Sequence, residues 1–370
     1  MGGELPRPSQ MYYDRPKKRG KAKAEPARKP KTQPEPKGKP AKPAKPRPAK
    51  PKKQKDKRNN KHPLLKFVAL LLVMALLAGG GLYIMPVNTF GSHTAYGAVK
   101  KLPSGYAHVL LIGLDLDGNN TSRSDTMMII SIGKGGVKLT SLQRDTGVYI
   151  EGYDGLRRLN AAYAYGGEEG LIRTINQNFG FDLSRWATVD YDSFPEIIDA
   201  LGGVHLSGIS DDEAAEINSN MKEQLLKKYR AGKISEAEAR RVYAANELKS
   251  GGDYTLSGMQ ALGYARIRKT DSDYGRTNRQ RKLISACVSK LKSFNPVTLI
   301  RFFKAVKGNV KTNLGTLELL SLGEKAIFAG GISQTRLPVN GSYIDDGGMF
   351  HDVDYALNRA AFISFVYGKQ

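Results

Sequence analysis

Residues 108–114 read HVLLIGL, residues 127–132 MMIISI and residues 137–142 VKLTSL. Runs this short, β-branched and nearly continuous in apolar character suit strands covered on both faces. Downstream, 168–179 has helical periodicity and 186–191 is β-rich. Residues 194–201 form a helical pattern closed by Gly202 and Gly203, and 204–206 make a further strand. Two amphipathic helical patterns, 257–268 and 278–294, flank a polar loop over 269–277. Strands alternating with helices over this length predict a three-layer α/β/α domain around a mixed sheet. Residues 211–248 interrupt the alternation. They are long, charged and helical, and Ile217, Leu225, Leu226 and Val242 are too sparse for a deep core, so 208–252 is expected as a charged helical insertion.

Upstream the composition changes. Of 58 Lys/Arg, 22 lie in residues 1–62 against 5 Asp/Glu, together with 12 of the 18 prolines. Lys-Pro and Pro-Ala-Lys units favour extended chain with too little apolar surface to offset ordering entropy. The pI of 9.8 therefore describes a tail, and the balanced remainder gives little reason to read the domain as a nucleic-acid binder. Residues 67–85 follow, 19 without a charge, about 28 Å as a helix and close to the hydrocarbon thickness. With cations crowding the N-terminal side, the positive-inside rule predicts a single-pass cell-membrane protein. Its parts are a disordered cytoplasmic tail (1–63), a transmembrane signal anchor (64–85), an extracytoplasmic stalk (86–105) and an outer domain (106–370). The tail suits contact with anionic membrane lipid or with an acidic cytoplasmic protein. A single cysteine excludes a disulfide framework and multi-thiolate metal sites.

Three clusters carry chemistry. Gly113-Leu114-Asp115-Leu116-Asp117 ends the first strand, and Ser122-Arg123-Ser124-Asp125-Thr126 precedes the second. Carboxylates at strand ends sit where open α/β sheets bind ligands, and hard oxygen donors suit Mg²⁺ or Mn²⁺. The same aspartates also suit loop caps. Gln143-Arg144-Asp145-Thr146 leaves the third strand, as a site or a surface ion pair. Between 266 and 281 stand Arg266, Arg268, Lys269, Arg276, Arg279 and Arg281, with Gln280 among them. Guanidinium forks match phosphate oxygens, and six cations against Asp271 and Asp273 exceed what a solvated helix face needs. A carboxylate pair and an arginine cluster outside a membrane point to a lipid-linked pyrophosphate. His62, His93, His108, His205 and His351 show no metal spacing, Cys287 lies on an apolar helical stripe, and Trp186 suits the core.

At these residues the sequence resembles the LytR-CpsA-Psr (LCP) family of cell-envelope proteins. The matching stretches are VLLIGLD, SRSDTMMIISI, VKLTSLQRDTGVYI, LNAAYAYGG, VDYDSFPEIIDALGGV and LSGMQALGYARIRKTDSDYGRTNRQRKLISA, in that order. The resemblance implies a membrane-anchored phosphotransferase. It moves an anionic glycopolymer, such as teichoic acid or capsule, from an undecaprenyl-pyrophosphate carrier to a peptidoglycan hydroxyl. It implies Asp115 and Asp125 as metal-associated carboxylates, and Arg144, Arg266, Arg268, Arg276 and Gln280 as pyrophosphate ligands. Asp115, Asp125, Arg144 and Arg266 form the catalytic set; the base is Asp115, Asp125 or Asp145. The chain departs from the family at Gln143, where Pro is usual, in the long 211–250 stretch, which suits a lid or partner-binding arm, and in its long tail. The alternative from another class is a non-catalytic envelope sensor binding a polyprenyl-linked glycan.

Overall fold

The computed structural model describes residues 93–115, 124–268, 273–293 and 295–368. The chain divides into Met1–Leu70 and Leu71–Gln370, and all described residues belong to the second unit. The elements in order are β1 (Tyr106–Leu114), β2 (Ser124–Gly133), β3 (Gly136–Leu142), β4 (Gly147–Tyr149), β5 (Leu156–Arg158), α1 (Ala161–Phe179) and β6 (Arg185–Asp190). Then come α2 (Phe194–Ala200), β7 (Val204–Ile209), α3 (Asp211–Arg230), α4 (Glu236–Asn246), β8 (Gly252–Leu256) and α5 (Gly258–Ala265). Last are α6 (Asp273–Lys292), α7 (Pro296–Asn309), β9 (Lys311–Thr312), α8 (Thr316–Phe328), β10 (Ile332–Leu337) and α9 (Tyr355–Tyr367).

A six-stranded mixed sheet runs in the order β10-β3-β2-β1-β6-β9, with β1/β6 and β3/β10 parallel and the other pairs antiparallel. Successive side chains of β1 go to opposite faces, as the strand period requires. Leu110, Ile112 and Leu114 join Met127 and Ile129 under Leu171, Ile175 and Phe362 of α1 and α9. Ala107 and Val109 join Met128, Val137 and Leu139 under Leu322 and Ala326 of α8. Each fully buried Leu or Ile contributes about 1.5–3 kcal/mol, so both helical layers are needed to cover the sheet. The three-layer α/β/α expectation holds for these residues. Residues 93–105 also lie against this domain: Leu102 enters the first cluster and the Tyr96 carbonyl accepts from Asn176 at 2.8 Å.

The membrane part of the expectation is corrected. Among the described residues no helix is long and apolar enough to cross a membrane. The 20-residue helices α3 and α6 have the length of a span, but charged residues run along both. The expected transmembrane segment 64–85, and with it the single-pass location with a cytoplasmic tail, falls outside the described residues, and no described helix supports either.

Two local differences have clear causes. The helical stretch 211–248 is broken by Gly232, which takes φ +68, and Ser235 caps the second piece. The first piece is better buried than its charge suggests. Ile217, Met221 and Leu225, spaced four apart, bury one stripe, and Ile217 and Met221 enter a cluster that includes Ala261 and Tyr264 of α5. Further on, α5 stops at Ala265 and α6 begins at Asp273, so Arg276, expected in the polar loop, lies in the first turn of a helix, while Gln280 is helical as expected.

Candidate active site

The site forms where β1, β2, β3 and β6 end. The β1/β2 register shifts between Gly113 and Leu114, a bulge that re-aims the chain entering Asp115. A Cβ on Gly113 would stand 2.9 Å from the Thr126 Cβ, so glycine permits the close approach of the two strands. After β3 the chain turns sharply, with Thr146 donating to the Gln143 carbonyl through N–H (3.2 Å) and hydroxyl (2.7 Å). The buried Gln143 side chain, at the position where Pro was expected, donates to Thr277 of α6 at 3.4 Å. Arg144 and Asp145 ride on this turn.

Three arginines from separate segments meet at Asp125. Arg144 Nη1 lies 3.3 Å from Oδ1, and Arg268 Nη2 lies 3.0 Å from Oδ2. Arg276, only 2 % exposed, donates from Nη2 to the Asp125 main-chain carbonyl at 3.3 Å. Arg144 also contacts Asp145 at 3.4 Å, and Asp145 contacts Arg158 at 3.4 Å. Beside them a cavity of about 290 Å³ is lined by Asp115, Tyr191, Glu223, Lys227, Arg266, Arg268 and Arg276.

Arg266 follows the last residue of α5, so its side chain leaves the helix axis toward this cavity. Its Nη2 donates to Glu223 at 3.0 Å, and the guanidinium lies 5.1 Å from the Tyr191 ring centre. Its Nη1 is buried without a hydrogen-bond partner among the described residues. A buried donor in that state favours an arriving anion. Tyr191 has its pKa raised, first by burial and then by the carboxylates of Asp125 and Asp115, against the lowering effect of Arg266 and Arg276. Both aspartates therefore act on the same phenol.

Gln280 is not brought to the cavity. It is buried between α5 and α6, donating to the Ala265 carbonyl at 3.4 Å. Arg279 and Arg281 are also buried, and they bond Glu213 at 2.8 Å and Ser141 at 3.0 Å respectively. Cys287 packs against the cluster of Ala261 and Tyr264, and burial pushes its thiol up to about 12. His93 and His108 bond Glu318 and Ser131, both at 2.8 Å, away from the site.

Sequence reasoning missed Tyr191 and the contribution of α3. Glu216, Asn220, Glu223 and Lys227 line the cavity from one face of that helix. Their spacing of four, three and four is a polar stripe opposite the apolar one, a signal present in the sequence. Lys227 Nζ stands 3.9 Å from Asp115 and 3.6 Å from Glu223. The Arg268 N–H donates to Glu216 at 3.1 Å.

No group of three or more His, Cys, Asp or Glu able to hold a metal occurs among the described residues. Mg²⁺ commonly uses one or two carboxylates plus substrate phosphates, and keeps several waters. Asp115 and Asp125 are hard oxygen donors of the kind such a partial shell uses, and the Asp125 oxygens are ion-paired with Arg144 and Arg268.

The chain is thus a three-layer α/β/α domain on a mixed sheet, with an arginine-lined cavity at the strand ends. The LytR_cpsA_psr family model matches residues 91–360, and the chain belongs to that family. A polyisoprenyl-teichoic acid–peptidoglycan teichoic acid transferase, TagU of Enterococcus faecalis, is 31 % identical over 257 residues, covering 66 % of this chain and 74 % of the relative. TagV of Bacillus subtilis, named for the same transfer, is 26 % identical over 308 residues, covering 75 % and 71 %. The crystal structure of B. subtilis TagT shares the fold, with a TM-score of 0.54 at 22 % identity over 75 % of this chain and all of that one.

Proposed function

We propose that this protein transfers an anionic glycopolymer from a polyprenyl-diphosphate carrier to a hydroxyl of peptidoglycan. The observation that carries the reading is the convergence of Arg144, Arg268 and Arg276 on Asp125, beside a cavity into which Arg266 projects. Family membership and relatives named for teichoic acid transfer to peptidoglycan support the reaction class.

In the reaction the acceptor oxygen attacks the phosphorus that carries the glycopolymer. A new O–P bond forms, the bridging P–O bond breaks, and polyprenyl phosphate leaves with the electron pair. The hydroxyl proton passes to one of the site carboxylates, Asp115, Asp125 or Asp145. Transfers of this kind depend on positioning and charge neutralisation more than on covalent help. Arg266 and Arg268 bind the diphosphate oxygens and stabilise charge developing on the leaving phosphate. Arg276, held by burial, orients the Asp125 main chain and so the carboxylate. Asp115 and Asp125 would hold Mg²⁺ or Mn²⁺, which would supply Lewis-acid neutralisation of the diphosphate.

The test is transfer of labelled glycan-diphosphate lipid to peptidoglycan oligomers, with and without EDTA, for wild type and Asp125→Asn. The expected result is transfer that falls after chelation and falls in the variant. Full metal-free transfer by wild type would remove the metal assignment. Lipid binding without any transfer would favour a sensor.

A further inference from the structure

A second cavity, of about 420 Å³, lies beside the same strand ends. Leu114 and Asp190 line it, whereas the next residues in the chain, Asp115 and Tyr191, line the arginine cavity. Alternation at the tips of the parallel strands β1 and β6 therefore makes these strands a wall between two chambers. From the polar groups on its far side, we propose that the second chamber is a saccharide subsite, which holds a pyranose ring of the acceptor glycan while the first holds the diphosphate.

The chamber is organised around Glu168, which is 8 % exposed. Its carboxylate accepts from the Tyr163 hydroxyl and the Thr188 hydroxyl, both at 3.3 Å, and Lys311 Nζ stands 3.1 Å from each of its oxygens. Backbone geometry sets this residue. Gly167, at φ +59 and ψ −150, occupies a region that only glycine takes readily, and it breaks α1 immediately before Glu168. Asp190 contributes a second carboxylate, whose Oδ1 is already held by the N–H groups of Asp192 (3.0 Å) and Ser193 (2.7 Å).

The chemistry of the lining selects the ligand class. Two carboxylates against one ammonium disfavour phosphate, and hydroxyl, carboxylate and amide groups disfavour an alkyl chain. Interleaved donors and acceptors beside the Tyr163 ring and Leu114 suit the hydroxyls and apolar face of a sugar. The volume lies within the usual range for small-ligand sites. That the sugar belongs to peptidoglycan rests on the transfer reaction proposed above; that a sugar binds here does not.

The experiment is calorimetry on the full chain with a peptide-free peptidoglycan tetrasaccharide, and separately with farnesyl diphosphate. Lys311→Met and Thr188→Val are the variants, with Glu168→Gln as a third. The Lys311 side chain is 69 % exposed, so its substitution leaves the fold intact. Saturable tetrasaccharide binding is expected in wild type, weakened on the order of fivefold in each variant, with farnesyl diphosphate affinity unchanged. Tetrasaccharide binding by a chain that transfers no polymer would support the subsite and overturn the transfer reading. The subsite is overturned by no saturable binding in wild type, by unchanged affinity in folded Lys311→Met and Thr188→Val, or by competition from inorganic diphosphate.

Discussion

Arg266→Ala separates an organised diphosphate site from a diffuse basic surface. In the unliganded protein its guanidinium has a half-exposed partner, Glu223, at 3.0 Å, and an aromatic neighbour, Tyr191, at 5.1 Å. An exposed ion pair contributes about 0–1 kcal/mol and a cation–π contact about 0.5–2 kcal/mol. Loss of both therefore costs the fold about 0.5–3 kcal/mol. A charge-assisted hydrogen bond to a phosphate oxygen, in a cavity that excludes bulk water on most sides, is stronger. Its net value of about 1.5–3 kcal/mol corresponds to a loss of about 10- to 150-fold in Kd.

Arg281→Ala is the matching control. Its guanidinium donates to Ser141 at 3.0 Å and Gln334 at 3.1 Å, under the sheet and outside the cavity. Removing it leaves the buried Ser141 hydroxyl without that donor and should cost about 2–4 kcal/mol of stability. Affinity in the folded fraction should stay near wild type. Calorimetry with farnesyl diphosphate reads the first quantity and urea unfolding the second. Equal affinity losses in folded Arg266→Ala, Arg268→Ala and Arg281→Ala would refute the organised site.

Glu223→Gln should tighten farnesyl diphosphate binding about two- to threefold, because an exposed carboxylate then no longer competes for Arg266; unchanged or weaker binding by calorimetry contradicts this. His108 has its pKa lowered to about 4, first by burial and then by Arg185. Its neutral form is the native one, so the unfolded chain binds a proton that the fold does not. Stability should fall as pH drops from about 6.5 to about 4, and that share of the slope should vanish in His108→Gln. Urea midpoints across this range are the measurement, and parallel profiles for the two proteins would contradict the assignment.

The central sheet was legible because β1, β2 and β3 are near-continuous apolar runs, and only a strand covered on both faces uses such a run. Asp125, Arg144, Arg268 and Arg276 were legible because strand exits and arginine clusters have local signatures. Gln280 was not separable from them: in the sequence it lies four residues from Arg276 within one polar cluster, and only the packing of α5 against α6 shows that it faces away. The role of α3 was hidden for another reason. Charge density over 211–230 reads as solvation, but the acid and base groups on one stripe face the arginine cavity while Ile217, Met221 and Leu225 are buried on the other. A helix with two different buried faces has no simple amphipathic signature.

The same helix bears on how the site stays stable without substrate. Arg144, Arg266, Arg268 and Arg276 at one strand edge would repel each other strongly in a partly desolvated cavity. The chain supplies the missing anions itself: Asp125 between Arg144 and Arg268, Glu223 on Arg266, and Glu216 on the Arg268 main chain. Each of these carboxylates sits where a phosphate oxygen would bring similar charge. In the proposed reaction, diphosphate binding would exchange Glu223 on Arg266 for phosphate oxygens, and would not fill an empty cationic site. The net gain would come from geometry, because a diphosphate presents several oxygens on one rigid group while Glu223 offers a single carboxylate. An exchange of this kind discriminates against single carboxylates and monophosphates, which cannot satisfy Arg266 and Arg268 together, and favours a ligand that spans both.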